Sequence, residues 1–181
     1  MPALFHKEVM DLKKAFDKFV KIYTEILCAF GCIFYLTFCV CVLIQIISRN
    51  LLPSAPSWTE ELARYTFVYM VSFGCGVAVL KDEFVFVEFL KDALLAKGHV
   101  KANKIIRLLV TIAMLALSVY LLFFSVPQLA FIKFRMVSTA MQLPMQYIYF
   151  SQILMFGFLS ISLVMRIIQM ISSFSDVPEK A

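Results

Sequence analysis

Four long stretches of this sequence contain no charged residue. They are residues 26–48, 65–80, 108–132 and 136–165. A helix needs about 20 apolar residues to cross the roughly 30 Å hydrocarbon core of a bilayer. The chain is 62% hydrophobic and only 16% charged, unlike a water-soluble domain. We therefore predict an all-α integral membrane protein with four transmembrane helices. The predicted spans are residues 22–48, 58–81, 106–131 and 143–168.

The lysine and arginine residues are unevenly divided between the two sides of such a protein. Relative to the four uncharged stretches, thirteen of the 17 lie before the first, between the second and third, or after the fourth, and four lie in the two remaining intervals. Basic residues concentrate on the cytoplasmic side of membrane proteins, so we expect both termini in the cytoplasm. The net charge of +5 then reflects topology, and no nucleic-acid partner is expected.

Amphipathic segments are predicted on the cytoplasmic surface at two places. Within residues 1–20, apolar residues recur at steps of four and three: Phe5, Val9, Leu12, Phe16 and Phe19. This spacing and the lysine-rich polar face indicate an interfacial helix on anionic phospholipids, with a short coiled-coil stripe as the alternative. Residues 84–97 are apolar but too short to span, so they form the second predicted interfacial helix. Residues 172–181 are expected to be a disordered tail.

The second span has a predicted start and a face of small residues. Ser57 stands three residues before Glu60, the arrangement of a capping box, so a helix is predicted to begin there. Small residues four positions apart let two helix backbones approach closely in lipid. The pairs of this kind are Ser72 with Gly76 and Gly74 with Ala78. We predict that this face packs against another helix.

The predicted spans offer little for catalysis or cofactor binding. Haem ligation in a bilayer normally requires histidine, and His6 and His99 both lie outside the spans. A quinone-linked thiol oxidase would need cysteines near the outer face, whereas the five cysteines, at positions 28, 32, 39, 41 and 75, all lie inside spans. Cys28, Cys32 and Cys39 share one helix face, which leaves a soft-metal site as a minor alternative. We expect no enzyme activity, cofactor or metal.

Ionisable groups deep in a span would mark a transport pathway, because a charge in lipid is costly unless it is paired or solvated. Glu25 is the deepest such group, and it follows Lys21 by four residues, as in a surface ion pair. A small stand-alone exporter would depend on Glu25. The deeper positions carry no charge.

A polar cluster is predicted near the outer boundary of the first two spans. Its members are Arg49, Trp58, Glu60, Glu61 and Arg64. We predict that these residues contact either a partner subunit or lipid headgroups. In the first case Glu61 and Arg64 form an ion pair that fixes the docking of another subunit. In the second, Glu60 and Glu61 complement the helix dipole and Arg64 contacts lipid phosphate.

Two segments resemble a known family. Residues 58–64 read WTEELAR, after a proline-containing loop and before a glycine-rich span, and residues 138–145 read STAMQLPM, followed by Tyr147. They resemble the small membrane subunit, of the DctQ type, of tripartite ATP-independent periplasmic (TRAP) transporters. The chain departs from that pattern after the second span, where the family often has a basic residue, glycine and histidine, and residues 81–85 here read KDEFV.

The resemblance implies an accessory subunit in the bacterial inner membrane. In such a transporter a soluble periplasmic binding protein captures an organic acid, and a large membrane subunit carries it inward with sodium. The expected partners are therefore the large subunit, the binding protein and phospholipids, and the candidate substrates are sialic acids, C4-dicarboxylates and other sugar acids. The alternative is a non-transport scaffold or anchor subunit of another membrane complex.

Overall fold

Four helices make up the protein in the computed structural model, which describes residues 2–51, 56–81, 100–131 and 136–175. The helices are α1 (Pro2–Leu51), α2 (Ser57–Leu80), α3 (Val100–Phe131) and α4 (Gln146–Ser175). Each contains a stretch long and apolar enough to cross a membrane: Lys13–Leu51, Ser57–Leu80, Ile105–Phe131 and Gln146–Ser172. The prediction of an all-α protein with four spans is confirmed.

The first helix is longer than predicted. The segment 1–20 was separated from the first span in the prediction, whereas α1 runs for 50 residues without interruption. The sequence contains neither proline nor glycine between Pro2 and Gly31, so nothing in it breaks the helix. At 1.5 Å per residue α1 is about 75 Å long, more than twice the thickness of the hydrocarbon core. The interfacial placement of its first 20 residues stays a prediction.

Two other boundaries differ or lie outside the described residues. Helix α4 continues to Ser175, so residues 172–175 are helical and not part of a disordered tail, and residues 176–181 lie outside the described part of the chain. The predicted interfacial helix 84–97 falls in the segment 82–99, outside the described part of the chain.

Helix α2 begins at Ser57 as predicted, but the predicted capping box is wrong. The N-cap is Pro56, in an extended conformation and without a side-chain cap hydrogen bond. The Thr59 hydroxyl donates to the Pro56 carbonyl at 2.7 Å. Because the cap lies one residue earlier, Glu60 occupies the fourth helical position and its carboxylate is free to face other partners.

The helices pack in the order α1, α2, α4, α3. Stacked rings join α1 to α2 in an antiparallel register, with Phe30 on Phe73 at 5.5 Å and Phe34 on Tyr69 at 5.4 Å between ring centroids. Helices α2 and α4 run parallel, and α3 is antiparallel to α4. Side chains that show these two registers are Ser72 with Ser151, Phe73 with Phe158, Ser118 with Ser160 and Thr111 with Met170.

This arrangement brings the starts of α2 and α4 to the same end of the molecule as the last turns of α1 and α3. We call it the Glu61 end. The opposite end, where α2 finishes at its C-cap Lys81, is called the Lys81 end.

The small residues of α2 divide between two environments. Ser72 is fully buried, and its hydroxyl lies within hydrogen-bond distance of two acceptors, the Val68 carbonyl of its own helix at 2.8 Å and the Ser151 carbonyl of α4 at 2.9 Å. A Cβ atom on Gly76 would lie 3.0 Å from Leu27 Cδ1 of α1 and 3.1 Å from Ser162 Oγ of α4. Ser72 and Gly76 therefore lie where α2 meets its neighbours. Ala78 is half-buried, and Gly74 is exposed, with no atom within 4 Å of its Cβ position.

Candidate functional site

At the Glu61 end, the carboxylate of Glu61, in the second turn of α2, accepts four hydrogen bonds. Its Oε1 atom accepts hydrogen bonds from the Thr139 hydroxyl at 3.0 Å and the Ala140 amide at 2.9 Å. Its Oε2 atom accepts bonds from the Ser138 hydroxyl and from the Met141 amide at 2.9 Å. Hydrogen bonds to a carboxylate are stronger than those between neutral groups. One side chain of α2 thus holds four consecutive residues ahead of α4.

The donors are held in place by a short folded loop, residues 136–145. Two backbone hydrogen bonds close it, from the Ser138 amide to the Leu143 carbonyl at 2.8 Å and from the Met145 amide to the Met136 carbonyl at 2.9 Å. Gln142 has a φ of 52°, a left-handed conformation that costs a residue with a side chain about 1–2 kcal/mol. The turn directs successive amide groups into one concavity, an arrangement that binds anions in many proteins.

A further hydrogen bond joins α2 directly to the start of α4. The Tyr69 hydroxyl, two turns after Glu61, donates to the carbonyl of Tyr147, the second residue of α4, at 2.9 Å. With the bond from Ser72 to Ser151, α2 contacts α4 and its preceding loop at three successive levels. The 136–145 loop and the start of α4 are therefore fixed against α2.

Glu60 points away from the 136–145 loop, toward α1, and forms ion pairs with two arginines. Its Oε1 atom lies 3.7 Å from Arg64 Nη2 on the same helix, and its Oε2 atom lies 3.6 Å from Arg49 Nη2 at the end of α1. All three side chains are exposed, and Trp58 is exposed beside them. This cluster joins α1 to α2 across the loop between them.

The predicted ion pair between Glu61 and Arg64 is wrong. Arg64 pairs with Glu60, four residues earlier, which is the favoured spacing for an ion pair on one helix face. Glu61 is turned about 100° from Glu60 around the helix axis, toward α4. The predicted cluster is therefore divided, with Arg49, Glu60 and Arg64 on the α1 side and Glu61 on the α4 side.

The sequence interpretation did not identify the partners of Glu61. Residues 138–141 stood out only as part of a segment resembling a family. Polar residues before a span are common at helix starts, so their hydroxyl and amide groups did not stand out. No local spacing rule connects them with a glutamate that lies 77 or more positions away in the sequence.

The geometry favours a structural role for Glu61. Four donors already occupy its two oxygen atoms, whose lone-pair sites number about four, so little capacity is left for a cation or a transferred proton. Among the described residues, no group of three or more histidine, cysteine, aspartate or glutamate side chains could hold a metal ion.

Four apolar helices in a row, of which α2 is tied by the Glu61 carboxylate to the loop before α4, define a small multi-pass membrane protein in the described part of the chain. Comparison with known proteins gives the family. Residues 38–173 match the family described as tripartite ATP-independent periplasmic transporters, DctQ component. The chain belongs to this family, so it is a multi-pass inner-membrane subunit of a transporter and not an enzyme.

Two curated relatives match parts of the chain. A stretch of 66 residues is 42% identical to the sialic acid TRAP transporter permease protein SiaT of Haemophilus influenzae (strain 86-028NP), covering 36% of this chain and 11% of that protein. A stretch of 55 residues is 40% identical to the sialic acid TRAP transporter small permease protein SiaQ of Vibrio cholerae serotype O1 (strain ATCC 39315 / El Tor Inaba N16961), covering 30% of this chain and 32% of that protein. The alignments thus span about a tenth and a third of those relatives' own lengths.

Proposed function

We propose that this chain is the accessory subunit of a sodium-coupled secondary transporter and supports the static part of a large membrane subunit. The observation that carries the proposal is the fourfold hydrogen bonding of Glu61. It commits the best-placed carboxylate of the chain to holding α2 and α4 together. A subunit built in this way is suited to staying rigid while a partner moves.

The spans support the same division of labour. Secondary transporters bind ions and anionic substrates near the middle of the membrane, at broken helices whose ends supply dipoles. In the sequence, the central parts of all four spans carry no Asp, Glu, Lys, Arg or His. Each described span is one continuous helix, including α3, which contains Pro127 near its end. Substrate and sodium would therefore be handled by the large subunit.

The substrate proposed for the complex is a carboxylate, with sialic acid as the first candidate. Both curated relatives are named for sialic acid. C4-dicarboxylates and other sugar acids are the remaining candidates of the same chemical class. The proposed partners are a large membrane subunit, a periplasmic binding protein and phospholipids.

The proposed orientation places both termini in the cytoplasm and the Glu61 end at the periplasmic surface. The distribution of lysine and arginine supports it, because thirteen of the 17 belong to the Lys81 end of the protein by topology. The 136–145 loop then lies on the side from which a periplasmic binding protein would deliver its substrate.

Reconstitution tests the function directly. Proteoliposomes would contain the large subunit, this chain, or both, and labelled sialic acid loaded on its binding protein would be supplied under an inward sodium gradient. We expect uptake only when all three proteins and the gradient are present. Uptake by this chain alone would refute the accessory role, and equal uptake without sodium would refute the coupling.

The alternative is a non-transport scaffold or anchor subunit. Purification of the chain from its native membrane in mild detergent distinguishes the two. The transport proposal expects a large multispanning subunit in stoichiometric amount. Recovery of a different membrane complex, with no large transporter subunit, would favour the alternative.

A further inference from the structure

Arg49 and Arg64 keep most of their hydrogen-bonding capacity despite the carboxylate between them. Their nitrogen atoms lie 3.6 and 3.7 Å from the Glu60 oxygens, beyond the 2.7–3.2 Å range, approximately, of a hydrogen bond. The arginine side chains are 64% and 66% exposed. Each guanidinium has five N–H donors, and neither has a hydrogen-bond partner in the described part of the chain. They are available to an external acceptor.

The charge of this cluster favours an anion. Two guanidinium groups flank one carboxylate, so the cluster carries one excess positive charge. The neighbouring charge of Glu61 is engaged on the other side of α2 by the 136–145 loop. A phosphate diester has a single negative charge and oxygen atoms that fit the planar fork of arginine.

The surroundings favour a lipid as the source of that phosphate. Trp58, at the same end of the row, is 45% exposed, and a Trp ring of this kind is typical of the headgroup layer. One turn further into the span, the exposed side chains are apolar, with Ile46 below Arg49 and Phe67 below Arg64. Phe67 packs on Phe38 of α1 with a centroid distance of 5.6 Å. The seam between α1 and α2 therefore offers cations at the level of a headgroup and an apolar surface at the level of its acyl chains.

We propose that Arg49 and Arg64 together bind the phosphate of a phospholipid in the leaflet at the Glu61 end, with its acyl chains along the α1–α2 seam. The lipid bridges the end of α1 and the start of α2, two helices whose side chains otherwise meet at this level through the exposed Glu60. The site is separate from the Glu61 contacts that fix the 136–145 loop.

Native mass spectrometry of the full chain, released from nanodiscs and titrated with deuterated phosphatidylethanolamine or phosphatidylglycerol, tests the site. The Arg49→Gln/Arg64→Gln variant removes both donors. The Lys81→Gln variant removes one positive charge at the exposed far end of α2 and serves as the control for each single arginine variant. We expect one saturable phospholipid on the unaltered protein, a roughly tenfold loss of affinity for each arginine removed, and wild-type affinity at this site in the control.

Two further variants separate phosphate binding from a purely structural effect. Glu60→Gln removes the competing carboxylate, so phospholipid affinity should rise. Arg49→Lys/Arg64→Lys keeps the charge but loses the planar fork, so affinity should fall to an intermediate value. Circular dichroism and gel filtration of each variant confirm that it remains folded.

Three results would overturn the proposal. The first is equal phospholipid affinity in the Arg49→Gln/Arg64→Gln variant and the control. The second is diacylglycerol, which lacks a phosphate, binding with the same affinity as the phospholipid, or inorganic phosphate displacing the phospholipid at concentrations similar to those at which the phospholipid binds. The third is unchanged lipid binding together with loss of the large membrane subunit from the purified complex, which would make the arginine pair a protein interface.

Discussion

Glu60 and Glu61 are consecutive residues whose carboxylates face different helices. Glu60 lies between the guanidinium groups of Arg49 and Arg64 on the α1 side. Glu61 accepts four hydrogen bonds from the 136–145 loop on the α4 side. The first contact is exposed and made by long side chains, whereas the second uses two backbone amides that cannot turn away. The two residues should therefore respond very differently to the same substitution.

Replacing Glu61 should loosen the 136–145 loop. In Glu61→Ala, the Ala140 and Met141 amides lose their acceptor, and in Glu61→Gln only one oxygen remains to accept. We expect both variants to lower the melting temperature in detergent, Glu61→Ala more than Glu61→Gln, and to accelerate hydrogen exchange at residues 140 and 141. The matched change Glu60→Gln removes only exposed ion pairs, so it should alter stability by less than about 1 kcal/mol and leave that exchange unchanged. Equal effects of the two glutamine variants would contradict this assignment.

Two glycines on different faces of α2, two residues apart, provide a matched test of helix packing. A methyl group on Gly76 would lie 3.0–3.4 Å from Leu27, Ser162 and Phe158, while the same group on Gly74 would meet nothing within 4 Å. Overpacking costs about 1–3 kcal/mol, and alanine gains about 0.5–1 kcal/mol over glycine in a helix. Gly76→Ala should therefore be net destabilising by about 1 kcal/mol, and Gly74→Ala neutral or stabilising. Reversible unfolding in mixed detergent measures both, and a stabilising Gly76→Ala would show that the interface is looser than described.

The hydrogen bond between Ser118 and Ser160 should contribute little to the pairing of α3 with α4. The two hydroxyl oxygens are 3.0 Å apart, but Ser160 also donates to the Phe156 carbonyl at 2.7 Å, and a hydroxyl has one hydrogen to donate. A double-mutant cycle with alanine should give a coupling of about 0.6 kcal/mol, the average for such bonds in membranes. Ser125, which donates to Leu121 of its own helix, should show no coupling with Ser160. A coupling above roughly 2 kcal/mol would mean that this bond dominates the interface.

The spans could be predicted closely because hydropathy depends on local sequence. The second span was expected at residues 58–81, and the helix long and apolar enough to form it covers Ser57–Leu80. The fourth was expected from residue 143, but α4 starts at Gln146, since the segment that includes Pro144 closes the 136–145 loop. In α1, the change from an amphipathic to an apolar pattern suggested a break, although the absence of proline and glycine up to Gly31 was the better guide.

The roles of the two glutamates could not be predicted in the same way. Which carboxylate faces α4 depends on the rotation of α2 about its axis. That rotation is set by contacts spread over three helices, such as the ring of Phe73 between Phe30 and Phe158. The partners of Glu61 are 77–80 residues away, and spacing rules for one helix do not reach that far.

The proposed orientation predicts which end of the protein is accessible from outside the inner membrane. Ser57 is exposed at the start of α2, and Lys81 is exposed at its C-cap. Cysteines at these two positions would therefore report on opposite sides of the membrane. In a background with the five native cysteines replaced by alanine, a membrane-impermeant maleimide should label the Ser57→Cys variant in cells with only the outer membrane opened. The Lys81→Cys variant should react only after the inner membrane is permeabilised. Because α1 and α2 are antiparallel and α1 begins at the Lys81 end, this pattern places the N-terminus in the cytoplasm, and the reverse pattern would place it in the periplasm and refute the proposed topology.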